Sequence, residues 1–247
     1  MNVFDEMGSY WAEIADKDQT EKQLQFLKNT LKAEGWVLDV ACGTGRHLIP
    51  LSREGYNVVG LDISGRLLKI AKNRWQRAQL VKADMRCLPF KTKVFSAAVS
   101  MDTSFGYLPS EKDDSQSFTE IRRALKQSGI FIVDVFNRKD IIAHYYPKNI
   151  ARQKWKEYPS FFLRQKRAVS QTGDWLCDSW TVRDKGNGEL RSFDHTVRLY
   201  EEFGLRGLLE ETGFAVKDVW GGYGREAFTA NSSRLIFVAA AEGGFLL

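Results

Sequence analysis

Cysteine is nearly absent: Cys42, Cys87 and Cys177 are the only three in 247 residues, far apart and without a Cys-x-x-Cys pair. That spacing excludes a disulfide framework and the usual structural zinc site, and it fits a reducing, cytoplasmic setting. No apolar run approaches the ~20 residues needed to span a bilayer, so no membrane partner is expected. The stretch from Met1 to Glu6 is acidic and lacks the basic and apolar regions of a signal peptide. Internal repeats and low-complexity segments are missing too. With 43% hydrophobic residues, the chain can bury a sizeable core and reads as one α/β domain carrying an insertion.

The informative feature is the run Trp36-Val37-Leu38-Asp39-Val40-Ala41-Cys42-Gly43-Thr44-Gly45-Arg46-His47. An apolar strand ends in a carboxylate and leads through a Gly-x-Gly turn into a helix. Glycine removes the Cβ that would keep backbone away from a bound ligand. A second apolar strand, Asn57 to Leu61, ends at Asp62, followed by Ile63 and by Ser64 as a helix cap. An acidic residue about 20 positions past such a turn is well placed to hold both ribose hydroxyls. A third strand, Gln79 to Ala83, ends at Asp84-Met85. Three successive carboxylates then stand along the carboxyl edge of a parallel sheet, where open α/β sheets bind ligands. Cys42, inside the turn, reads as a small buried residue rather than a nucleophile.

These residues resemble the class I S-adenosylmethionine-dependent methyltransferases. The stretch 37–45 is similar to their first motif, Gly60-Leu61-Asp62-Ile63-Ser64 to the second, and Ala83-Asp84-Met85-Arg86-Cys87-Leu88-Pro89-Phe90 with Phe95 to the third, as in quinone-biosynthesis-type members. The resemblance covers residues 36–135 well. It departs at Ser96, where many relatives carry aspartate, and a structural rather than catalytic consequence is expected. The resemblance implies S-adenosyl-L-methionine as cofactor and S-adenosyl-L-homocysteine as product. It also implies roles: Gly43 and Gly45 admitting the methionine portion, Asp39 near its ammonium, Asp62 on the ribose, Asp84 accepting from the adenine amine, and Ile63, Met85 and Met101 beside the cofactor. Tyr10, with Trp11, matches a region that in similar proteins folds over the cofactor as a lid. A nicotinamide or flavin dinucleotide is the rival cofactor, but its third glycine is replaced by Leu48.

Strands alternating with helices over 36–135 predict a doubly wound, mostly parallel seven-stranded sheet. Helices are expected at 3–16, 18–33, 65–76 and 112–127, the last ended by Ser128-Gly129. From Asn137 to Tyr200 the pattern changes. Segments 161–170, 174–184 and 189–200 alternate apolar and polar residues around glycine-rich turns, which predicts an antiparallel insertion after strand five. The expected division is therefore 1–136 plus 201–247 as the cofactor-binding domain, with 1–33 as a helical lid. Residues 137–200 would form a substrate or dimer subdomain, a homodimer being compatible with either role.

The expected activity is methyl transfer to N or O of a small molecule. General-base candidates are Asp102, Tyr107, His144 and His195, each with a structural alternative. Methyl transfer from a sulfonium needs positioning in a dry site more than a metal or covalent nucleophile, and no metal site is predicted. Residues 138–170 hold Arg138, Lys139, Lys148, Arg152, Lys154, Lys156, Arg164, Lys166 and Arg167 against Asp140 and Glu157, with aromatics interleaved. This stretch is either a solvated face or a surface for an anionic substrate or RNA. An RNA- or protein-modifying methyltransferase and a non-catalytic cofactor-binding protein are the alternative readings.

Overall fold

Apolar extended segments separated by amphipathic helical ones leave the chain few choices but layers. A computed structural model describes residues 3–15, 19–146, 150–151 and 154–242. Helices α1 (Val3–Ala15) and α2 (Thr20–Thr30) come first, and the expected end of α1 at residue 16 lies outside the described residues. Next come β1 (Trp36–Val40), α3 (Leu48–Arg53), β2 (Asn57–Asp62), α4 (Gly65–Arg74), β3 (Gln79–Lys82), β4 (Phe95–Ser100), α5 (Glu111–Ala124) and β5 (Leu125–Phe136). The inserted stretch holds α6 (Arg138–Tyr145), β6 (Ile150–Ala151), β7 (Lys156–Glu157), β8 (Phe161–Val169), β9 (Trp175–Asp184) and β10 (Leu190–Arg198). Helix α7 (Glu202–Glu211) and strands β11 (Phe214–Trp220) and β12 (Arg234–Ala241) complete the fold.

Seven strands form one sheet in the order β11-β12-β5-β4-β1-β2-β3. Only β12 runs against its neighbours. The central strands are apolar on both faces because both are covered. Leu38, Ala98, Phe131, Val133 and Phe237 pack on one side with Ile121 of α5 and Leu205 of α7. Val37, Val99, Ile132 and Ile236 pack on the other with Phe26 of α2 and Leu48 of α3. A fully buried side chain such as Phe131 contributes about 2 kcal/mol by leaving water.

The second sheet is antiparallel, in the order β10-β9-β8-β6, with β7 also paired to β8. Its inner face meets α1: Met7 and Trp11 join Phe161, Trp180 and Phe193 in one cluster. Asp5 of α1 accepts from the Ser64 hydroxyl at 2.5 Å, so α1 is fixed to both sheets' surroundings. No helix among the described residues is long and apolar enough to cross a membrane.

Two local expectations are corrected. Helix α5 starts at a capping box, where the Ser110 side chain accepts from Asp113 N–H, but it ends at Ala124 rather than at Ser128-Gly129. Leu125 is already extended, and β5 runs on through Ser128, which takes a positive φ of 60°. The start of the insertion is helical, since Asn137 caps α6 by accepting from Lys139 N–H.

Candidate active site

The turn after β1 has three left-handed residues, Ala41, Gly43 and Gly45. The two glycines serve different ends. A Cβ on Gly45 would meet Ile49 Cδ1 at 3.0 Å, so this glycine lets the helix pack. A Cβ on Gly43 would find only Leu67 at 3.9 Å, so its Cα faces open space. Asp62 locks that geometry, accepting from Gly43 N–H and Ser64 N–H at 2.8 Å each. Burial raises the Asp62 pKa against the pull of those two amides.

The open space belongs to a cavity of about 440 Å³ at the carboxyl edge of β1, β2, β3 and β4. It is lined by Gly43, Asp62, Ile63, Asp84, Met85, Met101, Asp102 and Tyr107 among the residues singled out by sequence. Asp84 is already committed: Arg86 clasps both of its oxygens, at 2.6 Å for the shortest contact, and lowers its pKa. Asp39 lies beneath the turn, 2% exposed and outside the lining, with Oδ2 lacking a partner. Burial pushes its pKa up to about 7, against the nearby charge of Arg46. Burial likewise keeps the Cys42 thiol well above its usual range, which suits packing rather than nucleophilic attack.

The loop after β4 places Asp102 and Thr103 in the left-handed region, at φ of 61° and 62°. Single non-glycine residues there are strained, and a buried carboxylate holds the pair. Asp134 on β5 accepts from Asp102 N–H at 2.8 Å, from the Tyr223 hydroxyl at 2.8 Å and from Arg234 Nε at 2.8 Å. Arg234 then reaches the Thr103 hydroxyl at 2.9 Å. From the other side, Arg46 donates to Asp102 Oδ2 at 2.9 Å and to Gln23 Oε1 at 2.5 Å. Gln23 in turn donates to the Tyr223 hydroxyl at 2.8 Å. The glycine turn, α2 and the β4 loop are thereby joined in one polar network.

Residues 37–129 match the model of a methyltransferase domain. A solved S-adenosylmethionine-dependent methyltransferase from Clostridium acetobutylicum shares the fold, with a TM-score of 0.80, 21% identity and coverage of 98% of this chain and 100% of that one. Together the matched domain and the shared fold support a class I S-adenosylmethionine-dependent methyltransferase. Among sequences, this methyltransferase is 28% identical over 195 residues to the dTDP-3-amino-3,4,6-trideoxy-alpha-D-glucopyranose N,N-dimethyltransferase of Streptomyces venezuelae, covering 75% of this chain and 78% of that one. It is 35% identical over 150 residues to protein MJ1252 of Methanocaldococcus jannaschii, of which it spans 55%, using 61% of its own length.

Two candidates of the methyltransferase sit elsewhere than sequence placed them. Tyr10 does not line the cavity: its hydroxyl donates to Asp184 at 3.0 Å and its ring packs on Phe161. Trp11 takes the cavity position, because Gly8 breaks the helical phase with φ 43° and ψ −111°. His144 is exposed on α6, outside the lining. His195 does line the cavity, from β10. Arg46, Phe4 and Thr103 are lining residues that sequence reasoning missed, whereas Trp11 was named beside Tyr10 as part of the lid. Arg46 carried a signal, being the charged residue next to the second glycine.

The described basic residues of 138–170 stay out of the cavity. Arg138 pairs with Asp174 and Glu201, Arg167 with Asp178, and Arg164 lies over the Trp155 ring. Lys148 and Arg152 lie outside the described residues. Ser96 donates to the carbonyls of Glu34 and Trp36, at 2.9 and 3.0 Å, which ties the entry to β1.

Proposed function

We propose that this methyltransferase modifies a nitrogen or oxygen of a small molecule bound beside the cofactor in the cavity described above. The observation that carries the reading is the open face of Gly43 above the clamped Asp62 carboxylate. Residues 1–136 with 201–247 serve as the cofactor half and also carry Phe4, Trp11 and Tyr107, while 137–200 add His195 and Thr196 to the acceptor side. When bound, S-adenosylmethionine supplies an electrophilic methyl group. Asp62 would take the ribose hydroxyls, Gly43 would admit the methionine portion, and Met85 and Ile63 would flank the adenine.

Asp39 fits the ammonium of the methionine portion through its unpartnered, buried Oδ2. Such a carboxyl, with its pKa raised to about 7, is largely protonated in the free protein at pH 6. An ammonium partner favours the ionised form, so binding at pH 6 should release a proton. Cofactor affinity should therefore rise with pH up to about 7 and level off above it. Calorimetry in buffers of different ionisation heat checks both points. A proton count of zero at pH 6, with Asp39→Asn behaving like the wild type, would remove Asp39 from the cofactor site.

Asp84 needs revision in detail. With both oxygens held by Arg86, its carboxylate reaches the adenine amine only while sharing an oxygen with that guanidinium. Methyl transfer disperses rather than builds charge, so the chain's contribution is to orient the acceptor and exclude water. The strained Asp102-Thr103 loop, fixed from behind by Asp134, performs the orienting. A scan of small amines and phenols for S-adenosylhomocysteine release tests the activity. Tight cofactor binding without turnover of any acceptor would instead support a non-catalytic role.

A further inference from the structure

The acceptor wall of the cavity has a chemistry of its own. Phe4 and Trp11 from α1, Tyr107 from the β4 loop and His195 from β10 all line it. Their rings touch in sequence: Phe4 lies 5.2 Å from Trp11, 5.1 Å from Tyr107 and 6.4 Å from His195. Tyr107 and His195 are 5.9 Å apart, and Trp180 closes the group from behind, stacked on Trp11 at 5.5 Å. Three elements distant in sequence thus make one continuous aromatic surface.

The charges around it are one-sided. Asp62, Asp84 and Asp102 line the cavity, whereas Arg46 is the only lysine or arginine lining it among the described residues and is spent on Asp102 and Gln23. His47 and His195 are both held neutral by burial. Behind His195, Asp178 Oδ2 lies 3.9 Å from Nε2, with Arg167 as its counter-ion on the far side and Asp194 on the same strand as His195. An anionic acceptor would meet carboxylates here and find no free guanidinium or ammonium among the described lining residues to hold it. A cation would meet ring faces, whose quadrupole attracts positive charge, with carboxylates at the margins.

We propose that the Phe4–Trp11–Tyr107–His195 wall is a subsite for an organic cation, and that the natural acceptor is a small amine recognised in its ammonium form. That ammonium gives up one proton to water, so that the freed nitrogen lone pair bonds the methyl carbon as the carbon–sulfur bond breaks and S-adenosylhomocysteine leaves. The inference rests on the cofactor reading above and names the substrate class of that same cavity. It also accounts for product fit: each added methyl group spreads the positive charge over a larger apolar head, which the rings hold at least as well. An amine acceptor would thus remain a ligand through more than one methylation.

The test separates charge from shape. Choline and 3,3-dimethylbutan-1-ol have the same outline and differ only in the charged nitrogen. Binding of each is measured by calorimetry to the protein saturated with S-adenosylhomocysteine. Choline should bind at least tenfold more tightly, and Phe4→Leu and Trp11→Leu should each erase most of that preference when compared at saturating S-adenosylhomocysteine. Trp11→Phe, which keeps a ring, should retain part of it and guards against a folding defect in the leucine variant. Equal affinity for the two probes, a preference for the alcohol, or no binding of either overturns the inference. If S-adenosylhomocysteine itself fails to bind, the cofactor reading falls and takes this inference with it.

Discussion

Asp62→Ala should weaken cofactor binding by a hundredfold or more, the largest functional effect of any single change in the cavity. The carboxylate does two jobs. It holds Gly43 N–H and Ser64 N–H at 2.8 Å, which sets the shape of the turn and the start of α4. It is also the acceptor assigned to the ribose hydroxyls. Removing a charged acceptor from buried amides costs about 1–3 kcal/mol for the groups left unsatisfied, and about 1.4 kcal/mol corresponds to a tenfold change in affinity. Asp62→Asn keeps the shape and one acceptor oxygen, so its loss should be smaller. Calorimetric titration with S-adenosylhomocysteine measures both variants. An unchanged dissociation constant for Asp62→Ala would refute the assignment.

The largest effect on stability should come from Asp134→Ala. Asp134 is fully buried and accepts from the backbone of Asp102, the Tyr223 hydroxyl and the Arg234 guanidinium, itself 7% exposed. Leaving a buried guanidinium without its partner costs about 3–5 kcal/mol. For a chain of this size each kcal/mol moves Tm by about 2–4 °C, so Tm should fall by about 10 °C. The strained pair Asp102-Thr103 loses its clamp in the same variant. Removing both charges, as Asp134→Leu with Arg234→Met, should recover much of the stability but not the loop geometry. Thermal melts of the three proteins decide the matter: a drop of under about 2 °C for the single variant would mean that Arg234 finds another acceptor.

Strands β1, β2, β4 and β5 were legible because burial on both faces writes them as apolar runs, and β8 to β10 because one-sided burial writes them as alternation. The three aspartates were legible as strand ends, although only Asp62 and Asp84 reach the cavity surface. What escaped depends on single backbone angles. A helical wheel through α1 cannot foresee that Gly8 turns Trp11 rather than Tyr10 toward the cavity. Nor does local propensity reveal that Leu125 passes from helix to strand without a loop, since its conformation is fixed by pairing with Phe95. The polar network failed to appear for another reason. Gln23, Arg46, Asp102, Asp134, Tyr223 and Arg234 come from six places in the chain, and no periodicity links them.

Separating the glycine turn from the antiparallel insertion gives the molecule a division of labour that mutation can exploit. Drift at His195 and Thr196 of β10, or on the cavity side of α1, can trade one acceptor for another without disturbing the strand tips that grip the nucleoside. Descendants of such a scaffold would be expected to diverge fastest between residues 150 and 198, and to keep the Gly43–Asp62 latch as their common inheritance.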